Sequence, residues 1–268
     1  MVNAFIKFFK LNVVSEADVA LSAWTHSESL LWLSLLALTR ATFAAAMWTA
    51  VGFSLATDLD SYWALYATRL AAVHQAFYFT VAAGVSALAA YRIHKGGRIP
   101  RLPEPLYGFL ASQMQFALSS AIVVTAVFWA STPDALSWDP IPLYITVTFH
   151  ILNLIFMSVE FALFRTSIYI AHSFMTQIVW FIYGIIFVAV TAATAHFIYP
   201  WTSIMPGVGL LETPAEITIG IAWALVISFA AYVLFFVELI ALAIRHRFAT
   251  ARHENDQTEL TLFVVRHA

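Results

Sequence analysis

The chain has 268 residues, of which 62% are hydrophobic and only 10% are charged, whereas an ordinary soluble domain has about 25% charged residues. The formal charge of −2 provides no basic field for nucleic acid, which is therefore not an expected partner. The chain has no cysteine, so disulfides, thiolate nucleophiles, cysteine-ligated zinc and iron–sulfur clusters are excluded. This composition predicts an all-α, polytopic membrane protein.

The segment 1–29 precedes the first long apolar run. It begins with the apolar stretch MVNAFIKFFKLNVV and continues with the more polar SEADVALSAWTHSES. It does not have the small-residue cleavage pattern that ends a signal peptide. We therefore predict an interfacial, amphipathic N-terminal segment.

Six segments are apolar over the roughly 20 residues that a helix needs to cross a bilayer. Their predicted bounds are 30–56, 62–91, 106–130, 141–164, 168–199 and 215–244. Together they predict one transmembrane domain over 30–244, folded as a six-helix bundle. Residues 245–268 mix charged and polar side chains and are predicted to be a solvated cytoplasmic tail.

The distribution of lysine and arginine predicts the orientation of the bundle. All basic residues except Arg40 and Arg69 lie before the first span, between the second and third, after the fourth or after the sixth. The alternate loops, 57–61, 131–140 and 200–214, contain no basic residue. Because basic loops stay on the cytoplasmic side, both termini are predicted to be cytoplasmic.

The fourth span, FHILNLIFMSVEFALFR, carries three polar or ionisable residues in an otherwise apolar run. At 100° per residue, Asn153 lies about 60° from His150, and Glu160 lies about 20° from Asn153. The three side chains therefore share one helix face. Since such groups are expensive in hydrocarbon, this face is predicted to point into the bundle.

By depth, the polar residues of the spans fall into two predicted layers. The layer from mid-depth towards the outer leaflet comprises Thr39, Arg40, Thr42, His74, Gln75, His150 and Asn153, and the cytoplasmic layer comprises Glu160, Arg165, His172 and Glu238. Two interpretations stay open at this point. The layers are either interhelical hydrogen-bonding groups that fix the packing, or a ligand-binding or hydrolytic centre in which a histidine serves as base for a hydroxyl.

Other chemistries have weaker support. No lysine lies within a span, so a retinal-type Schiff base has no attachment site, and no zinc-protease, nucleophile-elbow or P-loop pattern occurs. No metal and no cofactor is therefore expected. A membrane haem held by His74 and His150, with His94 and His172 as a second pair, is a less favoured alternative because the third span has no histidine.

Three short motifs resemble a known family. SSAIVVTAVFWAS at 119–131, the fourth-span motif at 149–165 and AHFIYPW at 195–201 resemble the androgen-induced and rolling-stone group of multi-pass membrane proteins. The androgen-induced branch implies hydrolysis of fatty acid esters of hydroxy fatty acids by an intramembrane threonine and histidine. The rolling-stone branch implies a role in cell fusion without established enzymatic chemistry.

The resemblance assigns candidate roles to individual residues. His150 matches the family's histidine, and Thr39 matches its threonine if one residue is inserted, whereas Arg40 takes that position without the insertion, and Thr42 is a second candidate nucleophile. Arg40, His74 and Asn153 are predicted to bind substrate. The sequence thus predicts an intramembrane lipid-ester hydrolase in the endoplasmic reticulum or plasma membrane, or alternatively a non-catalytic membrane protein that binds lipid or partners.

Overall fold

The computed structural model describes residues 29–57, 66–96, 104–131, 139–163 and 170–194. Apart from short ends and turns, these residues form helices. In chain order the helices are α1 (Leu30–Thr57), α2 (Ala67–His94), α3 (Glu104–Ser131), α4 (Pro140–Leu163) and α5 (Ile170–Thr194).

Four of the helices contain a stretch that is long and apolar enough to cross a membrane: α1, α2, α3 over Gly108–Ala126, and α4. In α5 the corresponding apolar stretch is shorter, Thr176–Phe187. The prediction of an all-helical membrane protein is therefore confirmed for the described residues. The segment 1–28, the sixth predicted span and the tail lie outside them, so the six-span count and the cytoplasmic termini stay predictions.

Small residues contribute to the contact between α1 and α2, where Ala72 and Ala76 of α2 share one core cluster with Ala50 of α1. Alanine is frequent among all the buried residues of α2: Ala71, Ala72, Ala76, Ala82, Ala83, Ala89 and Ala90. Small side chains let two helices approach closely, which is how helices gain packing energy where lipid competes for apolar surface. One polar contact crosses the same pair, since the Trp48 indole donates a hydrogen bond to Thr80 Oγ1 over 3.0 Å.

The described core is built mainly from α1, α2, α3 and α4. Packed against this core, the partly buried rings of Phe43 and Phe156 stack with centroids 4.1 Å apart, and the buried Phe79 meets Phe43 edge-on. On the opposite side the helices present large apolar residues outward, including Leu31, Leu38 and Ile182. Large exposed apolar side chains of this kind are typical of a surface that faces lipid rather than water.

α4 is continuous but irregular. Pro140 occupies its first turn, where a missing N–H costs nothing. The stretch Thr148–Leu152 then winds as a π-helix before regular α-helix resumes at Asn153. A π-helical turn inserts extra backbone into one face of a helix and is frequent at functional sites.

Candidate functional site

A buried ion pair connects α1 with α4. The Arg40 guanidinium donates from Nη2 to Glu160 Oε1 over 2.6 Å and from Nε to Oε2 over 3.1 Å, and the two side chains are 0% and 1% exposed. Tyr78 also donates to Glu160 Oε1 over 2.7 Å. Arg40 Nη1 donates to Ser86 Oγ over 2.6 Å. The geometry is bidentate, which is the strongest arrangement of this pair.

This ion pair corrects the predicted layers. Arg40 was assigned to a different depth from Glu160, whereas the structure brings both to the same level. The predicted role of Arg40 in binding substrate also meets an obstacle, because Glu160 already occupies the Nε–Nη2 edge of the guanidinium and Ser86 accepts from Nη1. Tyr78 and Ser86, which complete the network, were not predicted as site residues.

Two contacts define how α1 and α4 are aligned along their axes. Arg40 meets Glu160, and Phe43 stacks on Phe156, so α1 and α4 run antiparallel and Thr39 lies near the level of Glu160. His150 precedes Glu160 by ten residues, which is about 15 Å along a helix axis. The structure therefore does not bring Thr39 and His150 into contact.

The two candidate threonines differ in their surroundings. Thr39 is half-buried. Thr42 is exposed on the outer face of α1, and its hydroxyl donates to the carbonyl of Leu38 within the same helix over 2.9 Å. Such a bond meets the hydrogen-bonding requirement of a threonine hydroxyl in apolar surroundings, and it needs no catalytic role to explain it.

His150 lies in the π-helical turn of α4 and faces α3. Its ring stacks on that of Phe128, with centroids 3.7 Å apart and the planes 10° from parallel. The imidazole also lies beside the backbone of Val124, and among the described residues Nδ1 has no hydrogen-bond partner, although His150 is only 4% exposed. The predicted inward orientation of His150 is thus confirmed.

Asn153 lies one turn further along α4 and also faces α3. Its Oδ1 accepts a hydrogen bond from Thr125 Oγ1 over 3.4 Å, while Nδ2 has no hydrogen-bond partner in the described helices and the residue is 1% exposed. We call His150 and Asn153, with Val124, Thr125 and Phe128 of α3, the His150–Asn153 site.

His74 contacts a different part of α3. Its Nε2 hydrogen-bonds Gln113 Oε1, and its ring packs edge-on against Phe116. Gln113 and Val124 are eleven residues apart, or about 16 Å along the helix. His74 is therefore not part of the His150–Asn153 site, and the two imidazoles are too far apart to ligate one haem iron from both sides.

Among the described residues, no group of three or more histidine, cysteine or acidic side chains is placed to hold a metal ion. Sequence reasoning did not single out Val124, Thr125 and Phe128, although all three lie within the motif at 119–131. These residues could have been found from the order of the spans. The third and fourth spans are consecutive and antiparallel, so the end of the third lies beside the start of the fourth, which carries His150.

Comparison of the chain with protein-family models, curated proteins and solved structures finds no match. The resemblance to the androgen-induced and rolling-stone group therefore still depends on the three short motifs.

Proposed function

We propose that the protein is an integral membrane protein that binds the polar group of a lipid-like molecule at the His150–Asn153 site. One observation carries this proposal: His150 Nδ1 and Asn153 Nδ2 are buried on one face of α4 and have no hydrogen-bond partner within the part of the chain that the structure describes. Both groups belong to side chains that contact α3, since His150 stacks on Phe128 and Asn153 accepts a hydrogen bond from Thr125.

Unpaired polar atoms are costly in this setting. A buried donor or acceptor without a partner costs about 1–3 kcal/mol, and the cost persists in a bilayer because no bulk water reaches the helix interior. A purely structural polar contact lowers its energy by pairing its groups with one another, as Arg40, Glu160, Tyr78 and Ser86 do. The two unpaired groups of His150 and Asn153, three residues apart on α4, instead offer hydrogen-bonding capacity to a polar group that arrives with a ligand.

The geometry supports binding better than hydrolysis by a threonine. A general base must lie within hydrogen-bond reach of the hydroxyl that it deprotonates, and the alignment of α1 with α4 separates Thr39 from His150 by about 15 Å of helix. Binding requires no such contact. The ligand is expected to be lipid-like because Phe128, the ring that stacks on His150, is apolar and the site lies between two apolar helices, α3 and α4.

Photoreactive lipids test this proposal. Purified protein in lipid nanodiscs is exposed to hexadecanol, hexadecanoic acid and diacylglycerol probes that carry a diazirine near the polar group, and the labelled residues are mapped by mass spectrometry. We expect labels within 120–128 and 148–156, and we expect Asn153→Leu to remove them. His74→Phe is the matched control, because it alters a histidine bound to another part of α3, and it should leave the labels unchanged.

The result that would overturn the proposal is labelling that avoids both segments, or labelling that is equal in wild type and Asn153→Leu. A fluorophosphonate probe adds a direct test of the alternative. Covalent attachment of this probe that depends on both Thr39 and His150 would replace binding with hydrolysis as the function.

A further inference from the structure

We infer that the exposed end of α2 binds the headgroup of an anionic phospholipid. The residues concerned are Tyr91, Arg92 and Lys95, which we call the α2 basic end. They are separate from the His150–Asn153 site. Val124 of that site packs with Ala71 near the start of α2, and Ala71 precedes Tyr91 by about 30 Å along the helix axis.

The α2 basic end lies where a helix of membrane-spanning length stops. α2 runs over Ala67–His94, and the side chain of Tyr91 in its last turn is 57% exposed. Lys95 caps the helix, because its backbone N–H donates to the carbonyls of Tyr91 and Arg92 over 3.1 and 3.2 Å. Gly96 then leaves the helix with φ at +71°. Since aromatic residues at the end of a span lie at the level of the lipid headgroups, the two cations belong to the same level.

The three side chains share one face of the helix. Arg92 and Lys95 are three residues apart and Tyr91 and Lys95 are four apart, and both spacings bring side chains of a helix together. Lys95 Nζ lies over the Tyr91 ring, 6.0 Å from its centroid. A ring attracts an ammonium group without neutralising its charge. The Arg92 guanidinium adds a planar set of donors that matches two oxygens of one phosphate.

The positive charge of the α2 basic end has no carboxylate partner in the described part of the chain. Arg92 and Lys95 are exposed and form no ion pair there. The sequence from 61 to 103 contains no aspartate or glutamate, and four basic residues fall within ten positions at the end of this stretch: Arg92, Lys95, Arg98 and Arg101. Four or more basic residues directly after a span are typical of segments that bind anionic lipids.

The start of α2 carries a similar pair in a different setting. The Arg69 guanidinium lies over the Tyr66 ring at 4.2 Å, but Arg69 is only 8% exposed, and the preceding loop 57–61 carries two aspartates. A cation next to a tyrosine is therefore buried at one end of α2 and open to a headgroup at the other. A phospholipid matches the open end better than a soluble phosphate, because its chains contact the Tyr91 ring while its phosphate meets the two cations.

The experiment is native mass spectrometry of the full chain released from nanodiscs that contain equal amounts of phosphatidylserine and phosphatidylcholine with the same acyl chains. The ratio of the two lipids retained on the protein is measured. We expect wild type to retain more phosphatidylserine, and we expect Arg92→Gln and Lys95→Gln each to lower this preference about fivefold. Arg69→Gln is the matched control, because it also removes one positive charge beside a tyrosine of α2. It should leave the preference unchanged in folded protein.

Equal retention of the two lipids by wild type would overturn the inference, and so would an unchanged preference in the double variant of Arg92→Gln and Lys95→Gln. Glycerophosphoserine, the soluble headgroup of phosphatidylserine, tests the source of the phosphate. It should not displace the lipid when present at the same concentration. Displacement would show a site for soluble phosphate esters, and the assignment to a phospholipid would then be wrong.

Discussion

The buried pair of Arg40 and Glu160 gives the sharpest stability prediction. Arg40→Met leaves the Glu160 carboxyl with Tyr78 as its remaining described donor, and Glu160→Leu removes the carboxylate that neutralises the buried guanidinium, which keeps neutral acceptors such as Ser86 Oγ and the Ala82 carbonyl. At about 4 Å between charges and an effective dielectric constant of about 20, the lost attraction is about 4 kcal/mol. Each single substitution should therefore lower the free energy of unfolding by about 3–5 kcal/mol.

The two single substitutions should lower the free energy of unfolding by different amounts. A carboxyl that loses its partner can take up a proton and become neutral, whereas arginine remains charged at every accessible pH. Glu160→Leu should consequently destabilise the protein more than Arg40→Met. Arg92→Met, which removes an exposed arginine at the end of α2, is the matched control and should change stability by less than about 0.5 kcal/mol.

The double variant gives the decisive comparison. With both charges removed, Ser86 can donate to the carbonyl of Ala82 one turn earlier, and Tyr78 is left as the one orphaned hydroxyl of the network, which costs about 1–3 kcal/mol. The double variant should thus be more stable than either single variant when unfolding is followed by circular dichroism in mixed micelles. Additive losses, or single losses below about 1 kcal/mol, would refute a shared buried pair.

Three further outcomes are expected. Tyr78→Phe should lower the free energy of unfolding by about 1.5–3 kcal/mol, because a hydrogen bond to a charged group is lost; the same unfolding assay checks it, and no loss would contradict the contact with Glu160. Thr42→Val should be neutral within about 0.5 kcal/mol in melting experiments, because this exposed hydroxyl bonds only its own helix in the structure, and a large loss of stability would show an interhelical contact there. Because the chain has no cysteine, Asp134→Cys and Arg252→Cys report topology cleanly. An impermeant maleimide added outside cells should label the first variant and not the second, and equal labelling of both would contradict the six-span topology.

The apolar spans of the described region could be predicted from sequence because each is a long run of apolar residues. The predicted first span, 30–56, and the observed α1, Leu30–Thr57, differ by one residue. The inward face of α4 was also predictable, since His150, Asn153 and Glu160 share one helical direction and all three are buried. These properties belong to single helices and need no knowledge of their neighbours.

The contacts between helices could not be predicted in the same way. The number of residues from the end of a span gives the depth of a polar side chain only for an isolated helix. The axial position of α1 against α4 depends on which side chains of the two helices pack together, such as Phe43 with Phe156. This shift brings Arg40 to Glu160 and keeps Thr39 away from His150. The π-helical turn at Thr148–Leu152 likewise has no signature in the apolar pattern.

The most direct test of the His150–Asn153 site is the dissociation constant of hexadecanol measured in nanodiscs for wild type, His150→Phe and His74→Phe. Both variants exchange a histidine for phenylalanine next to α3, so they change size and polarity alike. The site as described predicts binding about tenfold to a hundredfold weaker in His150→Phe and within about twofold of wild type in His74→Phe. Equal binding by wild type and His150→Phe, with both proteins folded, would contradict the central claim.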